Sequence, residues 1–240
     1  MADEDDRTLT LDEMLAEIRG RLTILEKSLP KQIDPIGISR TKLPFKVLNY
    51  REALIWRVTE LARAALQTFE AQQFVAAIVL TRAAVETNAA LWYLDEKLST
   101  ALKQEELGDL DDCVMRLLAG SYGWDEFPNP IRVGKFMECV ERSVPGFRDQ
   151  YNMLSEYAHP NAHGTTGLYS TIDRENILVD FGLQDRNTKP AKAVCIANLS
   201  VTLMLFEHTY NHFGELMPDF VEMCEREIPP LPTVDASQKG

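Results

Sequence analysis

The segment Phe74–Leu94 constrains the fold more than any other part of this 240-residue chain. It reads FVAAIVLTRAAVETNAALWYL, which is apolar on nearly every side of a helix, with Arg82 and Glu86 at its centre. Its length would suit a membrane span, but charged side chains in the middle of a bilayer are costly. A helix that is apolar all round is otherwise the buried centre of a soluble bundle. The segment therefore predicts an all-α helical bundle without a membrane partner.

An amphipathic helix over residues 10–29 opens the predicted domain. The sequence Thr10-Leu11-Asp12-Glu13 is a capping box, in which threonine and glutamate satisfy each other's backbone amides. Apolar residues then recur at spacings of three and four: Leu11, Leu15, Ile18, Leu22, Leu25 and Leu29. We expect this seam to pack on the body of its own chain, and packing on a second subunit is the alternative.

The remaining periodicity predicts helices near 47–69, 108–119, 130–143, 147–158, 190–214 and 218–226, after a loop over 31–45. The run GLYSTIDRENILVDFG has two β-rich stretches around a polar turn, which predicts a β-hairpin within 165–182. The fold class is thus an all-α helical bundle with a small β-hairpin insertion. We predict one domain over 10–227, between a disordered acidic N-terminus over 1–9 and a flexible Pro-rich tail over 228–240.

The charge distribution bears on partners and location. The net charge is −12, and the acidic residues are concentrated at both ends of the chain. A nucleic-acid-binding protein usually carries a basic stripe. The best candidate here is a thin group that we expect to be ordinary surface charge: Lys31, Arg40, Lys42, Lys46 and Arg51. Four dispersed cysteines without a CxxC pair, and an acidic start without an apolar leader, predict a cytoplasmic protein with reduced thiols.

Motifs for cofactors and metals are weak. The chain has neither a glycine-rich phosphate loop nor a GxSxG nucleophile elbow, so we predict no cofactor. His208 and His212 stand four residues apart on a predicted helix, a spacing that can bind a divalent metal. The segment lacks the glutamate of an HExxH motif, and we expect an exposed helix end there instead of a metal site.

The stretch SEYAHPNAHG, over 155–164, holds two of the four histidines. Pro160 disfavours helical backbone at the residue before it, so the preceding helix must end at His159. The imidazole then lies at a helix C-terminus, where the helix dipole favours its protonated form. Glu156 and Asn161 lie beside it in the sequence, which concentrates polar groups at one corner.

Arg82 and Glu86 are the second polar group of interest. They stand four residues apart on the central helix and can pair there, either as a structural lock or as the floor of a site. Charged groups in an apolar helix need polar neighbours. We therefore predict that one of them lies within hydrogen-bonding or one-water reach of the corner at 155–163.

Two segments together resemble a known group of proteins. The central helix reads LTRAAVET, and a later helix ends in YNMLSEYAHPNAHG before GLYSTIDREN. Over roughly residues 47–215, these motifs resemble a group of bacterial helical proteins with an LSE-aromatic-x-HPN corner, which looks related to the HEPN superfamily. HEPN proteins include ribonucleases and toxins of defence systems, and many are dimers. HEPN ribonucleases place a histidine shortly after an arginine, whereas ten residues separate Arg148 from His159 here, about three helical turns.

Two functions follow from these patterns. The first is a non-catalytic interaction or regulatory module linked to prokaryotic defence or toxin-antitoxin systems, in which the polar groups are structural. The alternative is a HEPN-like, metal-independent ribonuclease, with RNA as its partner, a histidine as general acid or base and an arginine to stabilise phosphate charge. The candidate residues of that site are His159, Arg82, Glu86, Glu156 and Asn161. The resemblance and the leucine seam both predict a homodimer, and the first function adds a protein partner.

Overall fold

A computed structural model describes residues 9–226. Within that range the chain forms nine helices and one two-stranded antiparallel hairpin, which confirms the predicted fold class. The elements are α1 Leu11–Ser28, α2 Pro35–Ile38, α3 Lys42–Glu70, α4 Phe74–Gln104, α5 Leu110–Ala119, α6 Val133–Glu141, α7 Phe147–Ala158, α8 Thr166–Tyr169, β1 Ser170–Asp173, β2 Leu178–Phe181 and α9 Asp185–Glu225. The predicted disordered N-terminus, except residue 9, and the predicted tail over 228–240 lie outside the described residues.

Helix α1 begins where the capping box predicts. The Thr10 amide donates to Glu13 Oε2 at 2.8 Å, and the Glu13 amide donates to the Thr10 hydroxyl at 3.3 Å. Along the seam, Ile18, Leu22 and Leu25 are buried, and the helix packs on α3 and α9 of the same chain. The seam is therefore covered by internal packing.

Helix α4 is the centre of the bundle, as its apolar sequence predicts. It packs on α3, α6, α7 and α9, and its buried residues run from Phe74 to Ala101. Contacts of Thr81 with Cys195 and of Asp95 with His212 show that α4 and α9 run in the same direction. A parallel pair needs a long crossover, and the segment from α5 to β2 provides it.

Two helices are long and apolar enough to cross a membrane by length and composition alone. They are α4 and α9, and 61% and 50% of their most apolar windows are buried inside the bundle. A core helix of a soluble protein passes the same test, because its apolar residues face its neighbours.

Helix α9 differs from the sequence prediction. We predicted separate helices near 190–214 and 218–226, but one helix continues through both Pro190 and Pro218. Proline removes an intrahelical hydrogen bond, which normally breaks or kinks a helix. Here Phe213, Met217 and Phe220 are buried on both sides of Pro218, so packing against the bundle holds the helix together.

The predicted loop over 31–45 is also shorter than expected. It contains the short helix α2, and α3 begins at Lys42, five residues before the predicted start. Pro44 falls in the first turn of α3, where its missing amide hydrogen would have no intrahelical partner. Pro44 therefore belongs to a helix start, within the segment that we predict as a loop.

Candidate functional site

Arg82 and Glu86 lie on the face of α4 that packs against α7, and Tyr151 of α7 connects them. Arg82 Nη2 donates to the Tyr151 hydroxyl at 2.7 Å, and that hydroxyl donates to Glu86 Oε1 at 2.8 Å. The direct pair is longer, with 3.5 Å between Arg82 Nε and Glu86 Oε1. The three side chains form what we call the tyrosine bridge, an Arg–Tyr–Glu chain between two helices.

The members of the bridge also interact electrostatically, although the buried Arg82 Nε makes no hydrogen bond within residues 9–226. The Arg82 guanidinium lies 5.0 Å from the centre of the Tyr151 ring, a cation–π distance. Burial raises the pKa of Tyr151, and the nearby Glu86 carboxylate adds to that rise although Arg82 opposes it. The hydroxyl therefore stays protonated at neutral pH and can donate to Glu86. Both charged side chains are about 30% exposed, so the pair is only partly buried.

The corner after α7 is a second, separate constellation. Asn161 Nδ2 donates to Glu156 Oε2 at 2.6 Å, and His163 Nδ1 lies 4.0 Å from the same carboxylate oxygen. Asn161 Oδ1 accepts from the backbone amides of His163 and Gly164, at 3.1 and 3.3 Å. A Cβ on Gly164 would come within 2.2 Å of the His159 carbonyl oxygen. The corner is therefore a tight turn ordered by an asparagine, and only glycine fits at residue 164.

His159 ends α7, as Pro160 predicts. Its backbone is extended, its amide donates to the Ser155 carbonyl at 3.0 Å, and its side chain is exposed. Within residues 9–226, no described hydrogen bond or ion pair joins the His159 side chain to Arg82 or Glu86. The candidate residues thus fall into two groups, Arg82 with Glu86 and Glu156 with Asn161, and His159 belongs to neither set of hydrogen bonds.

The sequence patterns did not identify two polar residues with defined partners, Tyr151 in the tyrosine bridge and Asp95 beside His212. Tyr151 lies among the apolar residues of α7, and a tyrosine at such a position brings a hydroxyl that usually finds a partner. Asp95 was not considered, yet it is buried and its carboxylate lies 2.9 Å from His212 Nδ1. The available signals were two acids of α4, Glu86 within its apolar stretch and Asp95 at the end of that stretch, because a carboxylate that is partly buried requires a polar partner.

The predicted metal candidates, His208 and His212, belong to the Asp95 cluster. They line a small cavity of about 170 Å³ with Trp92 and Asp95. Burial raises the pKa of Asp95, and its bond to His212 opposes that rise. Across residues 9–226, no three His, Cys, Asp or Glu side chains are arranged to hold a metal ion.

The thin basic group around α3 does not form an open stripe. Lys46 Nζ lies 2.6 Å from Asp111 Oδ1, and Arg40 Nε lies 3.6 Å from Glu225 Oε2. Arg51 donates to the Tyr210 carbonyl at 2.8 Å and stacks on the Tyr210 ring. These three basic side chains form ion pairs and hydrogen bonds within the chain, which weakens the case for a phosphate-binding surface.

Two segments each carry several large exposed apolar side chains, and other exposed apolar residues are scattered over the helices. One is the loop between α5 and α6, over residues 120–130, which we call the aromatic loop. The other is the hairpin with the residues next to it. Contiguous exposed apolar groups often mark interaction surfaces.

Comparison of the chain with family models, with characterised proteins and with solved structures found no match. The likeness to the HEPN superfamily accordingly rests on the sequence motifs alone.

Proposed function

We propose that this chain is a cytoplasmic, non-catalytic interaction module that recognises a protein partner through its aromatic loop. The observation that carries the proposal is that three large aromatic side chains stand exposed on one ordered loop. Tyr122 is 67% exposed, Trp124 65% and Phe127 48%. Leaving this much aromatic surface in water is unfavourable unless a partner covers it.

The loop is held in place by its own hydrogen bonds. The Ser121 amide donates to the Pro128 carbonyl at 3.1 Å, and the Phe127 amide donates to the Trp124 carbonyl at the same distance. Arg116 Nε reaches from α5 to the Asn129 carbonyl at 3.0 Å. A preordered loop loses little conformational entropy on binding, which favours affinity.

Aromatic residues on such a loop suit protein recognition. Tryptophan and tyrosine dominate the energetic hot spots of interfaces, because they bury a large area with few rotatable bonds. Asp125 and Glu126 lie between the aromatic side chains and are exposed. The loop therefore fits a partner with an apolar pocket and a basic rim, and its acids disfavour a nucleic-acid backbone.

The tyrosine bridge supports a structural role for the charged pair. Arg82 and Glu86 are connected to each other through Tyr151, at hydrogen-bond distances of 2.7 and 2.8 Å. A phosphate-stabilising arginine needs donors aimed at the reacting group. In the bridge, Arg82 Nη2 already donates to the Tyr151 hydroxyl. The described contacts do not connect Arg82 or Glu86 with His159.

The alternative function is a HEPN-like, metal-independent ribonuclease that uses His159 and Arg82. One observation favours it: Glu156, Asn161 and His163 gather at the exposed corner next to His159. The histidine near the carboxylate is His163, 4.0 Å from Glu156, and a histidine at such a corner can act as general acid or base without a cofactor. The links to defence or toxin-antitoxin systems come from the sequence resemblance and are compatible with either function.

Site-specific photo-crosslinking tests the recognition loop. A photoreactive phenylalanine analogue replaces Trp124 in one variant and Ile36 in a control, because Ile36 is 90% exposed on another element, helix α2. In cells that produce the protein naturally, we expect a discrete crosslinked protein from position 124 and none from position 36. The purified partner should then bind the Trp124→Ala variant at least about 30-fold more weakly, as for a hot-spot residue.

Two outcomes contradict this function. Equal crosslinking from positions 124 and 36, or unchanged affinity of the Trp124→Ala variant, would remove the loop as a recognition site. Cleavage of single-stranded RNA by the purified wild-type protein in the presence of a chelator, lost in His159→Ala, would instead establish the ribonuclease.

A further inference from the structure

A cavity of about 350 Å³ lies where helices α3, α4, α5 and α6 meet, and we call it the α3–α6 cavity. Its walls are mainly apolar and come from all four helices, for example from Leu54, Ala90, Leu118 and Phe136. Leu54, Ala90 and Phe136 are buried, so these walls are part of the packed core. Sites for small molecules are concave and mostly apolar, with a few polar groups that fix the orientation of the ligand. The cavity has the size and the apolar walls of such a site.

Arg57 brings a positive charge without a negative partner to the wall of this cavity. Its Nε donates to the Thr87 hydroxyl at 3.1 Å, and that hydroxyl donates to the Ala83 carbonyl at 2.8 Å, so the side chain is tethered to α4. The other arginines of α3 and α4 each pair with a glutamate: Arg51, Arg63 and Arg82. Across residues 9–226, Arg57 has no described carboxylate partner. The remaining N–H groups of its guanidinium are therefore available for an anion.

Tyr50 adds a hydroxyl beside this charge. It lies two helical turns before Arg57 on the same face of α3, and its side chain also lines the cavity. Burial raises the pKa of Tyr50 to about 12, and the nearby charge of Arg57 opposes that rise. The hydroxyl is therefore protonated at neutral pH, and within residues 9–226 it has no described hydrogen bond. It can donate to the same anion that Arg57 binds.

Glu86 limits the charge of that anion. Its carboxylate lines the cavity and is balanced in part by Arg82, whose Nε lies 3.5 Å from Glu86 Oε1. Glu86 would repel a dianion such as a phosphate monoester more strongly than a monoanion. A carboxylate carries a single charge, and its two oxygens match the planar donors of a guanidinium. The polar groups of the cavity therefore favour a monocarboxylate.

We propose that the α3–α6 cavity is a binding site for a small monocarboxylate with an apolar body. The carboxylate accepts hydrogen bonds from Arg57 and from the Tyr50 hydroxyl. The apolar body packs against Leu54, Leu118 and Phe136, where it displaces water from apolar walls. An apolar cavity of about 150 Å³ is enough for benzene, so this cavity has room for a phenyl ring with a short acid chain.

An NMR titration of the full chain with 3-phenylpropionate tests the site. A well-matched ligand of about ten non-hydrogen atoms should bind with a dissociation constant of about 1 mM or tighter. The methyl resonances of Leu54 and Leu118 should shift, because both side chains line the cavity, whereas those of Leu25 in α1 should not. The uncharged analogue 3-phenylpropanamide should bind at least about 10-fold more weakly, because it cannot form an ion pair with Arg57.

Two matched arginine variants separate the site from the general charge of the protein. Arg57→Gln should weaken the binding of 3-phenylpropionate at least about 10-fold, because it removes the charge-assisted hydrogen bonds. Arg63→Gln is the control, since it makes the same change of charge on the same helix outside the cavity, and it should leave the affinity unchanged. Tyr50→Phe keeps the ring and removes the hydroxyl, and it should weaken binding by about 3-fold or more. The NMR spectrum of each variant also shows whether it is folded.

Several results would overturn the proposal. One is that neither 3-phenylpropionate nor octanoate binds at about 10 mM. Others are equal affinities for the acid and its amide, equal weakening by Arg57→Gln and Arg63→Gln, or shifts confined to residues outside the cavity. Tighter binding of phenylalanine than of 3-phenylpropionate would contradict the ligand class, because Glu86 would then select a zwitterion. The site uses none of the exposed aromatic side chains of the aromatic loop, so failure of either proposal leaves the other intact.

Discussion

Replacing Tyr151 with phenylalanine tests the tyrosine bridge with the smallest change available. The substitution removes one hydroxyl and keeps the ring, so the cation–π contact with Arg82 and the packing of α7 on α4 remain. What is lost is the acceptor for Arg82 Nη2 and the donor to Glu86 Oε1. The experiment therefore measures the bridge and not the aromatic packing.

The expected loss of stability follows from those two bonds. Hydrogen bonds to charged groups contribute about 1.5–3 kcal/mol each when buried. Both charged side chains are about 30% exposed, so water can replace part of what the hydroxyl provided. We expect the free energy of unfolding to fall by about 1–2 kcal/mol. This is less than the ~3 kcal/mol that removing one partner of a buried pair would cost, and partial exposure is the reason.

Urea unfolding followed by far-UV circular dichroism provides the measurement. With a slope of about 3 kcal/mol per molar urea, the midpoint should shift by about 0.5 M. Tyr157→Phe is the matched control, because Tyr157 lies on the same helix and its hydroxyl has no described hydrogen bond within residues 9–226. The control should shift the midpoint by much less.

A double-mutant cycle with Glu86→Gln separates the bridge from unrelated effects of the tyrosine. If Tyr151 stabilises the fold through Glu86, the two changes should be non-additive by at least about 0.5 kcal/mol. Tyr151→Phe no more destabilising than Tyr157→Phe, or additive with Glu86→Gln, would refute the argument. The Arg82–Glu86 pair would then again be available for another role.

Two further expectations follow from the described contacts. Glu141 accepts the amides of Gly146 and Arg148, at 2.9 and 2.7 Å, and these bonds hold its pKa below the usual glutamate value. The stability that these bonds contribute is present above the unfolded-state pKa of about 4.3 and is lost as the pH falls through the lower folded-state pKa. Glu141→Gln should therefore reduce the free energy of unfolding more at pH 7 than at pH 3. Urea unfolding at both pH values measures the difference. For the metal, elemental analysis of untagged protein should find well under about one equivalent of zinc, iron or manganese, and a stoichiometric metal lost in His208→Ala would contradict the interpretation of the histidine pair as metal-free.

Local patterns in the sequence determined the architecture of the bundle. An apolar segment with two charges predicted the central helix α4, and the Thr10–Glu13 capping box predicted the start of α1. Proline after His159 predicted the end of α7, and two β-rich runs around a polar turn predicted the hairpin. These features depend on neighbours within a few residues, for which periodicity, capping and turn chemistry are sufficient.

Only the tertiary structure decided which groups meet. The partner of Arg82 and Glu86 is Tyr151, 65 or more residues away in sequence, and no pattern in α4 identifies the hydroxyl that connects them. Helix α9 continues through Pro218 because buried residues on both sides are held by other helices, which outweighs the local preference of proline. The placement of the hairpin likewise depends on tertiary hydrogen bonds, from Thr171 to Gln184 and from Asn187 to the Ser170 carbonyl, which hold β1 against the start of α9. Each of these outcomes is a competition between local preference and long-range packing, and the energy of packing is set by residues distant in the sequence.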